Sequence, residues 1–164
     1  MTTSTSTTPV DLAHTSATCA FGSSGPLALV LWRDITPHEL RLFADYSTAV
    51  VSKNNVAYAA LSIVAPRLRP PAPEVRAAIV ALTKEGLNTN YKGATTVMLG
   101  EGFFASVARA ALAGLALAGG AGMPDHVSKT IDEGADYCAR ILRVDVAALR
   151  AGAHEFYARA NATT

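Results

Sequence analysis

The stretch of sequence that decides the fold runs from Tyr91 to Gly120 and reads YKGATTVMLGEGFFASVARAALAGLALAGG. It predicts a buried strand over residues 94–99, a glycine turn over residues 100–102 and a long helix over residues 103–118. Apart from one serine and Arg109, every residue of that helix is apolar or glycine, so the helix has almost no face for solvent. Such a helix has to be covered by a protein core, by a partner subunit or by lipid.

Lipid is the least suitable of these three surroundings. The apolar run is shorter than the ~20 residues that cross a bilayer, and Arg109 stands in its middle. Residues 1–18 contain neither the basic nor the apolar region of a secretory signal. The sequence therefore predicts no membrane span and a cytoplasmic protein, in which Cys19 and Cys138 are small buried hydrophobic residues.

The composition indicates one globular domain. The chain has 164 residues, of which 50% are apolar and 16% are charged, enough to bury a core. Its net charge of +1 argues against nucleic acid as a partner, since domains that bind nucleic acid carry a basic excess. The Thr- and Ser-rich residues 1–17 predict a disordered tail, and residues 18–161 are expected to form a single α/β domain.

Outward from the central unit, the chain alternates strands and helices. Two β-prone runs, residues 18–21 and 27–32, flank GSSGP and predict an N-terminal hairpin with a loop somewhat longer than two residues. The order of elements predicts an α/β fold with a mainly parallel four- to five-stranded sheet, helices packed on it and an extra C-terminal helix. The remaining predicted elements are helices at 37–53 and 74–82, a strand at 56–65, a short edge strand at 125–129, and two C-terminal helices capped by Thr130 and Asp145.

The glycine turn resembles a dinucleotide-binding fingerprint. Residues Gly100 to Ala105 read GEGFFA, which fits GxGxxA between a strand and a helix. However, no strand that ends in an acidic residue follows about twenty positions later, as the fingerprint requires, and Glu101 would repel a pyrophosphate. A sharp turn and close packing of the helix on the sheet explain the two glycines. A small-ligand or nucleotide-binding accessory protein or enzyme that uses the Gly100–Gly102 turn stays as the alternative function.

Neither a metal nor a cofactor is predicted, and no catalytic set is apparent. No histidine has a second His, Cys or carboxylate at i+3 or i+4, the spacing that would build a metal-binding helix face. The two cysteines form no CxxC pair. Capping or surface roles account for the four histidines, which are His14, His38, His126 and His154.

Two segments at the predicted carboxyl ends of neighbouring strands form the candidate binding surface. The first is the stiff, basic, proline-rich loop at residues 67–73, RLRPPAP, and the second is the turn at residues 101–109. Open α/β sheets bind ligands at this edge. The arginines are expected to donate charge-assisted hydrogen bonds, and one of the two phenylalanines is expected to be an apolar anchor. The predicted partner-binding residues are Arg67, Arg69, Pro71, Glu101, Phe103, Phe104 and Arg109.

The passages GPLALVLWRDITPHELRLF, VAYAALSIVAP and ATTVMLGEGFFASVARAAL, in this order, resemble a STAS-like domain of the anti-sigma-factor antagonist type. The resemblance covers residues 18–143 and implies a small non-enzymatic module that binds a regulatory kinase, an anti-sigma factor or another partner. The regulatory serine of the family would lie where this chain reads PRLRPPAPE, without Ser or Thr. The sequence thus predicts a non-catalytic regulatory module that binds a protein or peptide, and it leaves open a homodimer through the 103–118 helix.

Overall fold

A six-stranded sheet forms the centre of the fold. The structure is a computed structural model, which describes residues 9–66, 68–69, 71–85, 90–100 and 125–163. Its strands are β1 (Val10–Thr15), β2 (Cys19–Ser24), β3 (Leu27–Trp32), β4 (Tyr58–Val64), β5 (Tyr91–Met98) and β6 (Asp125–Ser128). Its helices are α1 (Pro37–Asn54), α2 (Pro73–Lys84), α3 (Ile131–Leu142) and α4 (Val146–Ala162).

The strands lie in the sheet in their order along the chain, from β1 to β6. The pairs β1–β2 and β2–β3 are antiparallel, whereas β3–β4, β4–β5 and β5–β6 are parallel. The α/β class and the N-terminal hairpin are confirmed. The prediction of a mainly parallel sheet of four to five strands is wrong, because the sheet is mixed and the described residues form six strands of it.

Strand β1 is the additional strand. The sequence predicts a disordered tail through residue 17, and this is wrong for Val10–Thr15, which pair with β2. Val10, Leu12 and His14 are turned inward, while the residues between them are exposed. This alternation is typical of an edge strand, but the Thr- and Ser-rich composition around it conceals the signal.

Strand β2 is also longer than the sequence suggests. It continues through Gly22 to Ser24, so the loop to β3 has only two residues, Gly25 and Pro26, and the prediction of a longer loop is wrong. Gly25 has a φ of 55°, a conformation that favours glycine in two-residue hairpin loops. A Cβ on Gly22 would collide with the carbonyl oxygen of Asp11, so glycine is required there for β1 to pair.

Both faces of the sheet are covered by helices. On one face, α3 and α4 pack against Leu27, Leu29 and Leu31 of β3, together with neighbouring residues of β4 and β5. On the opposite face, α1 packs against Val30 and Trp32. All residues of β3 are buried, as the continuous apolar run Leu27–Trp32 predicts for a central strand that is covered on both faces.

Local signals for the helices agree closely with the structure. Helix α1 begins at Pro37, where it is predicted to begin. Thr130 caps α3 by accepting a hydrogen bond from the Glu133 amide at 3.1 Å, while the Glu133 carboxylate accepts one from the Lys129 amide at 2.8 Å. β6 is an edge strand, as predicted. The predicted helix over residues 103–118, and with it the proposed dimer contact, lies outside the described residues.

Tyr58, in β4, carries a buried hydroxyl. Tyr58 is 2% exposed, and its hydroxyl has no hydrogen-bond partner among the described residues. Burial raises the pKa of this phenol. Because a buried polar group without a partner is destabilising, Tyr58→Phe is expected to raise the free energy of unfolding by about 1 kcal/mol, as measured by urea denaturation.

Tyr46→Phe is the matched control for this substitution. The Tyr46 hydroxyl donates a hydrogen bond to Ser23 Oγ at 3.0 Å, so its removal is expected to lower the free energy of unfolding by about 1 kcal/mol. Opposite signs for the two Tyr→Phe substitutions are therefore expected. A loss of stability in Tyr58→Phe would show that its hydroxyl does have a partner.

Candidate functional site

The parallel strands β3 to β6 end at the same side of the sheet, which we call the carboxyl edge. The register aligns Trp32 with Val64, and Val64 with Met98, so the segments that follow these three strands begin side by side. Cys19, the first residue of the antiparallel strand β2, pairs with Trp32. The β1–β2 turn and the beginning of α1 therefore lie at this edge too.

The proline-rich loop after β4 is held against the carboxyl edge by its own backbone and by Leu68. The Leu68 amide donates a hydrogen bond to the Ala65 carbonyl at 3.3 Å, and its side chain packs on the cluster that contains Trp32. Arg69 is exposed and Pro71 is half-buried. Arg67, the first arginine of this loop, lies outside the described residues.

The segment after β5 begins next to this loop. The Leu99 amide donates to the Val64 carbonyl at 3.4 Å, which ties the end of β5 to the end of β4. Gly100 is exposed and has a φ of 123°, where a side chain would be strained. The remaining predicted site residues lie outside the described residues; they are Glu101, Phe103, Phe104 and Arg109.

A buried carboxylate at the same edge is absent from the predicted site. Glu39, near the N-terminus of α1, is 7% exposed. Its Oε1 accepts a hydrogen bond from Ser16 Oγ at 2.6 Å, and its Oε2 accepts one from Thr18 Oγ1 at 2.5 Å. Its amide donates to Thr36 Oγ1 at 3.2 Å, so the residue also takes part in the helix cap. Glu39 thus connects α1 to the β1–β2 turn.

His14 and Cys19 complete the group around this carboxylate. His14 Nε2 lies 3.9 Å from Glu39 Oε1, and the His14 ring stacks on Phe21 with centroids 4.6 Å apart. That nitrogen is shielded from solvent and has no hydrogen-bond partner among the described residues. One potential ligand atom from each of His14, Cys19 and Glu39 lies within 4.8 Å of the other two. We refer to His14, Ser16, Thr18, Cys19 and Glu39 as the Glu39 cluster.

A β-bulge turns His14 toward Glu39. The pairing of β1 with β2 shifts between Leu12, opposite Gly22, and His14, opposite Phe21. Leu12 packs in the core under α3 and α4, whereas Phe21 belongs to the core under α1. Without the shift, strand alternation would place His14 on the same face as Leu12. Bulges commonly re-aim a side chain in this way.

Electrostatic effects keep the carboxyl charged and the thiol protonated. Burial by itself would raise the pKa of Glu39, but hydrogen bonds from Ser16, Thr18 and Cys19, together with nearby His14, lower it below its usual value. Burial first, and then the charge of Glu39, raise the pKa of Cys19 to about 12. A buried thiol with this pKa is not a nucleophile at neutral pH. The cluster therefore does not fit cysteine catalysis.

Arg33 fixes the backbone of the β1–β2 turn. Its guanidinium donates to the Ser16 carbonyl at 3.0 Å and to the Ala160 carbonyl of α4 at 2.5 Å. The Arg33 amide donates to the Thr18 carbonyl at 2.8 Å. The turn that carries the cluster is therefore held by β3 and by α4.

The Glu39 cluster is not predicted from the sequence, because His14, Cys19 and Glu39 each have a separate and ordinary explanation there. The sequence places His14 in a predicted disordered tail and Cys19 in the core as a small hydrophobic residue, and it assigns Glu39 to the beginning of the predicted helix at 37–53. The short alternation of apolar and polar residues from Val10 to Leu12 is the signal that could have indicated a strand before Cys19. The bulge that brings His14 to Glu39 has no such signal in the sequence.

Two further findings bear on function. Among the described parts of the chain, no helix combines the length and the apolar character needed to cross a membrane. Comparison of the chain with models of protein families, with curated proteins and with solved structures finds no match.

Proposed function

We propose that this protein is a non-catalytic regulatory module of the STAS-like type, which binds a protein or peptide partner at its carboxyl edge. The observation that carries the proposal is the exposed Arg69 on a loop whose backbone is anchored at Leu68 and followed by Pro71. The STAS-like class is the hypothesis that the order of strands and helices in the sequence supplies. Its regulatory serine has no counterpart in this loop.

The described ends of the loop are held in place, which favours binding. Leu68 packs on the core cluster under α1, and α2 begins at Pro73, so the segment is fixed at both ends. Proline restricts the backbone between these points. A surface that is already ordered loses less entropy when a partner binds, which favours affinity.

Arg69 supplies the charge at this surface. Its side chain is exposed, and it forms no ion pair with any other residue that the structure describes. An exposed guanidinium without an ion pair can donate paired hydrogen bonds to a carboxylate of a partner. An acidic side chain or a chain terminus on the partner fits this chemistry.

Arg69→Glu tests the proposal by reversing this charge. Affinity capture with the full tagged chain, from cells that express it naturally, is expected to lose the specific partner. The partner's affinity should fall more than about tenfold, because loss of a hydrogen-bonded charge pair at an interface costs about 2–5 kcal/mol. The melting temperature should stay nearly unchanged, since exposed substitutions alter stability by no more than ~0.5 kcal/mol.

Arg143→Glu is the matched control. Arg143 is an exposed arginine at the end of α3, which begins next to β6 at the carboxyl edge and runs toward the opposite edge. The same reversal of charge there should leave capture unchanged. Equal capture by wild type and Arg69→Glu would refute the proposed surface.

The alternative function places a small ligand or nucleotide at the Gly100 turn. Gly100 is exposed, and among the described residues a Cβ built on it would meet no atom within 4 Å apart from those of its chain neighbours. A thermal-shift screen with nucleotides separates the two functions. A bound nucleotide at ~100 times its dissociation constant stabilises the folded chain by ~2.7 kcal/mol, and such a shift would favour this alternative.

A further inference from the structure

We propose that the Glu39 cluster binds a divalent transition-metal ion of the zinc type. The ligands are His14 Nε2, Cys19 Sγ and one carboxylate oxygen of Glu39. The three residues come from β1, β2 and α1, and one potential ligand atom from each lies within 4.8 Å of the other two. A site built from three separate elements would fasten the β1–β2 turn to the beginning of α1.

The spacing of the ligand atoms is close to what a tetrahedral ion requires. Zinc bonds of about 2.0–2.3 Å to nitrogen, oxygen and sulfur place neighbouring ligand atoms about 3.3–3.6 Å apart. His14 Nε2 and Glu39 Oε1 are already 3.9 Å apart. Side-chain rotations that move each atom by about 1 Å would complete the geometry, and a water molecule would take the fourth position.

His14 provides the observation that points most directly to a ligand. Its Nε2 is shielded from solvent, lacks a hydrogen-bond partner among the described residues and faces the Glu39 carboxylate. A buried ring nitrogen in this position requires an explanation, and an ion between the two side chains supplies one. The β-bulge after Leu12 directs the ring to this place, and stacking on Phe21 holds it there.

The charges balance when a divalent ion binds. The Sγ–H bond of Cys19 breaks, an Sγ–metal bond forms, and the proton passes to solvent. The thiolate and the Glu39 carboxylate then carry two negative charges against the two positive charges of the ion. Because the liganded site is neutral, the positive end of the α1 dipole does not oppose binding.

The surroundings of the ligands resemble the outer shell of a metal site. The hydroxyls of Ser16 and Thr18 donate to the two Glu39 oxygens and thus orient the carboxylate. The His14 side chain is 31% exposed, so an ion can enter from its side. One thiolate, one imidazole and one carboxylate favour Zn²⁺ or Co²⁺ over Mg²⁺ and Ca²⁺, which prefer oxygen ligands alone.

Titration of the metal-free, reduced full chain with Co²⁺ tests the site. Wild type is expected to bind one equivalent and to show the charge-transfer absorption of a cobalt–thiolate bond. Cys19→Ala should lose this absorption, whereas Cys138→Ala, which removes the other buried cysteine, should keep it. His14→Ala should weaken binding more than about tenfold, as loss of a ligand does more than loss of an outer-shell partner. His38→Ala, with an exposed histidine, should leave affinity unchanged.

A measurement on the wild-type chain guards against misfolded variants. Zn²⁺ should displace Co²⁺ and raise the melting temperature, and Mg²⁺ at the same concentration should not. Absence of the cobalt–thiolate absorption in wild type, or its survival in a folded Cys19→Ala protein, would overturn the proposal. Stabilisation of the chain by Mg²⁺ as strong as that by Zn²⁺ would overturn it too, since the cluster would then be a hydrogen-bonded network without a metal of this type.

Discussion

Replacing Gly152 with alanine should lower the free energy of unfolding by about 1–3 kcal/mol, because the added methyl group overpacks a tight contact. Gly152 lies in α4 against the sheet, where a Cβ would collide with Ser24 Oγ and stand 2.8 Å from Ser24 Cβ. In an exposed helix the same substitution stabilises by ~1 kcal/mol. The sign of the change in the free energy of unfolding therefore shows whether α4 packs this closely on β2. Urea denaturation measures the effect.

Two further variants make this prediction specific. Ala151 is exposed on the same helix, so Ala151→Gly should destabilise by ~1 kcal/mol through helix propensity alone. Ser24→Gly removes both atoms that the new methyl group would meet, so in that background Gly152→Ala should cost less or become stabilising. The double-mutant cycle should therefore give a coupling energy above ~0.5 kcal/mol. A stabilising Gly152→Ala in the wild-type background would contradict the described contact between α4 and β2.

Replacing Glu39 with alanine should lower the free energy of unfolding by about 2–3 kcal/mol, because hydrogen bonds to a buried charged group contribute about 1.5–3 kcal/mol. The substitution leaves the hydroxyls of Ser16 and Thr18 without their acceptor. It also disconnects α1 from the β1–β2 turn. Denaturation in the presence of a chelator measures this polar network without any contribution from a metal ion.

The neighbouring residue gives the control for Glu39→Ala. His38 is exposed in the same turn of α1, and His38→Ala should change stability by no more than ~0.5 kcal/mol. Ser16→Ala should be much less costly when Glu39 is already absent, which a double-mutant cycle can show. If Glu39→Ala is as mild as His38→Ala, the carboxylate does not hold the turn and the helix together.

What could be predicted from the sequence is largely what local patterns encode. The continuous apolar run Leu27–Trp32 predicts a strand buried on both faces, and it is one. Thr130 and Glu133 predict the beginning of α3 because capping depends on residues close together in the chain. The short edge strand at 125–129 is confirmed as β6.

The errors have physical reasons at particular residues. β1 is missed because its only signal, the alternation from Val10 to Leu12, is short and stands among threonines and serines. The hairpin loop is overestimated because Gly22 belongs to the strand and looks like part of a turn. Because Gly22 has no side chain, the backbone of Asp11 in β1 can approach it. The need for glycine at this position is therefore evident only once β1 is known, and β1 itself is not predicted from the sequence.

One part of the candidate site is predictable from the sequence and the other part is not. Arg69 and Pro71 are described at the carboxyl edge of the sheet, where strand order predicts them, since the ends of parallel strands are adjacent. The Glu39 cluster depends on a bulge and on contacts between residues far apart in the chain. A periodic pattern in a single sequence does not encode contacts between side chains that are far apart in the chain.

The order of the strands has a consequence for how the chain is made. Each strand pairs with the strand that precedes it, so the sheet can extend step by step while the nascent chain leaves the ribosome. Yet α4, which is synthesised after all six strands, packs on β1, β2 and β3. The earliest part of the sheet, with Leu27, Leu29 and Leu31, is therefore only partly covered until the last helix has been synthesised. During synthesis this apolar face is the one that a chaperone would have to protect.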